Sequence, residues 1–86
     1  MENELYDRIN GALLKEGIKG FKIIIENVSG RHSGHFNGNG NSHFNITIKS
    51  EELKKLLPLK RHKILNNSID DLLKNDIIHA VSFSVQ

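Results

Sequence analysis

Apolar residues recur at helical spacing near the start of the chain: Leu5, Ile9, Ala12 and Leu13 make one stripe. The spacing predicts a first helix from Asn3 to Lys15, with Gly17 as its C-terminal stop. The period then changes. Phe21 to Val28 is rich in β-branched side chains and predicts a strand. From His43 to Ser50 the period is two, with Phe44, Ile46 and Ile48 alternating against Asn45, Thr47 and Lys49. Pro58 suits the first turn of a second helix that runs to about Asn75 and carries Leu65, Ile69, Leu72 and Leu73 as its stripe. His79 to Gln86 predicts a third strand, where Val81, Phe83 and Val85 alternate with Ser82, Ser84 and Gln86.

This order predicts an α+β fold, αββαβ, with a three-stranded mixed sheet. Clean alternation in two strands predicts helices on one face of the sheet and water on the other. The first two strands form a hairpin-like antiparallel pair. The second helix is then a crossover that returns the third strand parallel to the second. By this topology the end of strand one, the start of strand two and the start of strand three share one edge of the sheet. His32, His35, His43 and His79 gather there, and His62 belongs near the opposite end.

With 86 residues there is room for one domain, residues 1–86. A chain this short buries only about 60% of the surface its unfolded form exposes, which disfavours a deep catalytic cleft. The net charge of +2 is too small to imply nucleic acid without a local cluster. There is no cysteine, so disulfides, a CxxC redox motif and a thiolate cage are excluded. Without disulfides or a signal peptide the cytoplasm is the expected compartment.

The segment Ser29 to Ser42 holds four glycines, three asparagines and two histidines, a composition unlike the rest of the chain. Loops this long in small domains are commonly functional or disordered. Four histidines at one sheet edge could ligate a metal, since neutral imidazole is a common ligand. Each has a plainer reading. His32 and His35 could be turn residues, and parity puts His43 on the polar side as a surface residue. His79 shares parity with Val81 and Phe83, which would make it a half-buried histidine with one hydrogen bond. Lys54, Lys55, Lys60, Arg61 and Lys63 place five cations in ten residues, fit either for phosphates or an acidic protein surface, or simply a solvated helix face. Gly38-Asn39-Gly40 precedes a strand and not a helix, so it is not a phosphate loop.

Taken together, Ser29-Gly30-Arg31-His32-Ser33-Gly34-His35, Ser42-His43-Phe44, Arg61-His62-Lys63 and Ile78-His79-Ala80 resemble the BolA family over nearly the whole chain. The resemblance implies a fold similar to a KH class II-like domain and an adaptor, not an enzyme. It implies partnership with a monothiol glutaredoxin and a [2Fe–2S] cluster shared with that partner and glutathione, with none in the isolated chain, which is expected to be monomeric. The implied ligands are His32 and His79, with His35 as the alternative to His32. Histidine can replace cysteine on one iron of such a cluster, as in Rieske centres. Lys60, Arg61, His62 and Lys63 are the candidate surface for the partner or, in a second reading as a transcriptional regulator, for DNA. Lys63 stands where the family carries a second arginine, and Leu53-Lys54-Lys55 replaces its Phe-x-Gly.

Overall fold

The computed structural model describes residues 1–32 and 42–86. Its element order is α1 (Glu2–Lys15), β1 (Lys22–Asn27), a 3-10 turn (Ser29–His32), β2 (His43–Lys49), α2 (Glu51–Lys55), α3 (Pro58–Lys74) and β3 (Ala80–Val85). The predicted αββαβ frame is present, with one addition, the short helix α2.

The sheet has the order β1-β2-β3. β1 pairs with β2 antiparallel, and β2 pairs with β3 in parallel. The register aligns Ile25, Ile46 and Phe83 in one row and Ile23, Ile48 and Val85 in the next. These rows face a core shared with Leu5, Ile9 and Leu13 of α1, Leu53 of α2, and Leu65, Ile69 and Leu72 of α3. All three helices therefore cover the same face. The opposite face carries Asn45, Thr47, Ser82 and Ser84, as the period-two alternation requires.

The helix ends follow backbone chemistry. α1 stops where Gly17 takes φ +78°, with Ile18 N–H donating to the Leu13 carbonyl and Gly17 N–H to Leu14. α3 closes with the same pair of bonds, from Ile77 to Leu72 and Asp76 to Leu73, but the left-handed position is filled by Asp76 at φ 54°. α2 starts at Ser50, whose hydroxyl accepts from Leu53 N–H at 3.1 Å. It ends because a residue before proline is held extended, and Leu57, before Pro58, has ψ 143°. Arg61 braces this corner by donating to the carbonyls of Lys54 and Leu56, each at 3.2 Å.

α1 and α3 are also tied by charge, since Arg8 pairs with both Asp71 and Glu4. The hydrogen bond to Asp71 raises the guanidinium pKa, and the same bond from Arg8 holds the Asp71 carboxyl below the ordinary carboxylate range. Among the described residues, no helix is long and apolar enough to cross a membrane.

Candidate functional site

Three chain segments meet at one end of the sheet: the exit of β1, the entry of β2 and the entry of β3. The register pairs Asn27 with Phe44, and His43 with Ala80. The parallel crossover therefore sets His43 beside His79, although 36 positions separate them in sequence (79 − 43). Their ring centroids are 5.0 Å apart with the planes inclined at 53°.

Two buried serines join these segments. Ser29, at the start of the 3-10 turn, is 4% exposed, and Ser42, just before β2, is 2% exposed. The Ser29 hydroxyl accepts from Ser42 N–H at 2.8 Å and from His43 N–H at 3.1 Å. Its own amide donates to the Asn27 side-chain oxygen at 2.9 Å, an Asx turn leaving β1. The Ser42 carbonyl accepts from His79 N–H at 2.8 Å and Ala80 N–H at 2.9 Å. The Ser42 hydroxyl lies 2.9 Å from Nδ1 of His43.

The sequence prediction of a shared edge is met for His43 and His79. His43 is half-buried on the polar side, as parity requires, yet its ring packs on that of His79. His79 is exposed and not half-buried. It immediately precedes the first residue of β3. His32 closes the 3-10 turn in backbone terms, while its side chain and the whole of His35 lie outside the described residues. Among the described residues, no group of three or more His, Asp or Glu side chains could hold a metal. The donor set that remains is a pair of imidazoles. That fits one half of a shared centre, where two further ligands come from elsewhere, and not a complete four-ligand cage.

The four candidate contact residues on α3 do not form one row. Lys60 and Lys63 face the groove between α1 and α3, about 460 Å³, together with Lys15, Glu16 and Asn67. Arg61 and His62 lie on the other flank, against Pro58, Phe83 and Val85. His62 is thus near the end of the sheet away from His43 and His79, as expected from topology. Arg61 is already engaged in bracing the α2–α3 corner. What the sequence reading missed were Ser29 and Ser42 as structural ties, and α2.

Residues 14–86 match a family model described as BolA-like protein. SufE-like protein 1, chloroplastic/mitochondrial, of Arabidopsis thaliana is 32% identical over 81 residues, covering 87% of this chain. The match spans 21% of that protein's length. Among solved structures, the BolA domain of SufE1 from Arabidopsis thaliana superposes with a TM-score of 0.65 at 33% identity, covering 92% of this chain and 86% of that one. BolA1 from Arabidopsis thaliana gives 0.67 at 27% identity, covering 93% and 87%.

Proposed function

The chain belongs to the BolA-like protein family, and from that premise we propose that it is a non-enzymatic adaptor that helps a monothiol glutaredoxin hold or pass on a [2Fe–2S] cluster. The observation that carries this reading is that the fold brings His79, at the entry of β3, to the same end of the sheet as the 3-10 turn that His32 closes, joined through Ser29 and Ser42. His79 is exposed, so a partner can approach it.

In this reading His79 is one ligand and His32 the other, with His35 as the alternative. His32 is favoured because it ends a turn anchored by the buried Ser29, whereas His35 lies deeper in a glycine-rich stretch. Ordering each further residue costs roughly 1–2 kcal/mol. The cluster is cargo here, and it brings electron-transfer and iron-donating chemistry when bound. This chain supplies neutral imidazoles and holds them in place. A cysteine-free chain ligates such a group only as half of a complex, with thiolates supplied by the partner and glutathione. Lys60 and Lys63, on the α1–α3 groove, are the cations this reading assigns to the partner-facing surface.

The test is spectroscopic. The isolated protein is expected to be colourless. Mixed with a cluster-loaded monothiol glutaredoxin and glutathione, it should change the visible circular dichroism. A spectrum identical to that of the glutaredoxin alone overturns the reading.

A further inference from the structure

Ser29 and Ser42 stand in a segment whose composition suggests ordinary loop, yet both are almost fully buried and every strand end at the site is tied through them. The two roles differ. Ser29 uses its side chain to grip the backbone, collecting the amides of Ser42 and His43 on one oxygen. Together with the bond from Val28 N–H to the His43 carbonyl at 2.9 Å, these bonds fix where β1 ends relative to where β2 begins. Ser42 grips the other way, using its backbone carbonyl for the amides of His79 and Ala80 and its hydroxyl for the ring of His43. That fixes β2 relative to β3. One continuous path of hydrogen bonds thus runs from Asn27 through Ser29 and Ser42 to His79.

We propose that Ser29 and Ser42 form a clamp that sets the His79 imidazole through the ring of His43 packed against it, making them positioning residues for the ligand His79. The purpose assigned to the clamp rests on the function proposed above; its geometry does not. A hydroxyl bond to one ring nitrogen of a histidine selects its tautomer and orientation. Ser42 does this for His43, and the ring contact passes the constraint on to His79. Partners in the second layer of a metal site typically alter metal affinity about 10- to 100-fold when removed. Ser29 reaches the rings only through backbone, so its effect should appear first in the strand ends.

The experiment compares Ser29→Ala, Ser29→Thr, Ser42→Ala and Ser42→Thr in the full chain. In the free protein, nitrogen-15 spectra would follow the ring signals of His43 and His79 while amide exchange is measured at Ser42, His43, His79 and Ala80. The clamp predicts shifted ring signals at both histidines in both alanine variants. It also predicts amide exchange at Ser42 and His43 faster in Ser29→Ala by about tenfold or more relative to mid-strand Ile46. The threonine variants, which keep the hydroxyl, should restore the ring signals. With cluster-loaded glutaredoxin and glutathione, cluster retention should weaken about 10- to 100-fold in the alanine variants and recover with threonine. Should Ser29→Ala fail to fold, Ser42→Ala still decides, because it leaves all the backbone bonds in place. Unchanged ring signals at His43 and His79 in a folded Ser42→Ala protein overturn the clamp. If the wild-type chain takes up no cluster, the proposed function falls, and the ring signals still judge the clamp.

Discussion

Leu53 and Leu57 stand four residues apart (57 − 53), and the structure treats them oppositely. Leu53 is 0% exposed, on the five-residue helix α2, while Leu57 is 76% exposed just beyond it. A helix of one turn cannot sustain itself in water, since nucleation is unfavourable and few bonds follow. α2 is therefore held by its Ser50 cap and by burial of Leu53 among the core residues. Leu53→Ala removes the buried branched end of that side chain, and such changes cost about 2–5 kcal/mol, the larger values where the cavity cannot collapse. For a domain of this size each kcal/mol moves the Tm by about 4–8 °C, so a fall on the order of 10–40 °C is expected. Ser50→Ala should cost about 1 kcal/mol through loss of the cap. Leu57→Ala should stay within about 0.5 kcal/mol of wild type. Urea and thermal unfolding followed by far-ultraviolet circular dichroism would measure all three. A Leu53→Ala loss below about 1 kcal/mol, or a Leu57→Ala loss as large as that of Leu53→Ala, would refute the packing argument.

Asp71 has its pKa lowered by the Arg8 hydrogen bond, so its contribution to stability is present above the unfolded carboxylate pKa of about 3.9 and is lost as pH falls through the folded value. Urea midpoints measured on acidification should therefore drop more for wild type than for Asp71→Asn; equal slopes would show that the pair is screened out by solvent. Asp76→Gly should raise stability by about 0.5–1 kcal/mol, because glycine takes the left-handed helix end without the side-chain penalty. A thermal melt that drops instead would show that the Asp76 side chain has a compensating contact. At the site, His79→Ala and His32→Ala should each abolish cluster retention in the glutaredoxin complex, with His35→Ala close to wild type. Loss with His35→Ala and none with His32→Ala would exchange the two loop histidines.

The alternation of Phe44, Ile46 and Ile48 and of Val81, Phe83 and Val85 was enough to read the two pleated strands and their inner face. The stripe of Leu65, Ile69 and Leu72 did the same for α3, where all three are buried. α2 escaped because five residues span barely more than one turn, too short for a period to show. Its signal is Ser50 followed by Glu51 and Glu52, a cap and an acidic first turn, and Ser50 also reads as the last residue of the preceding strand. For the site, topology placed His43 and His79 together, but parity along one strand says nothing of the neighbour across it. It places His43 correctly on the polar face and carries no sign of its ring contact with His79. The serine clamp was illegible for a related reason. Ser29 and Ser42 look like turn residues, and only the folded register puts one hydroxyl beneath two amides 13 and 14 positions away.

The parallel pairing of β2 and β3 has a consequence in time as well as in space. β1 and β2 pair as strands adjacent in sequence, whereas β3 pairs with β2 across the intervening α2 and α3, and non-local pairings of this kind slow folding. His43 and His79 are brought together by that non-local pairing. A chain whose β3 is undocked carries both residues yet presents no pair, so the His43–His79 contact depends on completion of the fold. Fraying of β3 alone would disarm the site while leaving α1 and the β1–β2 hairpin standing.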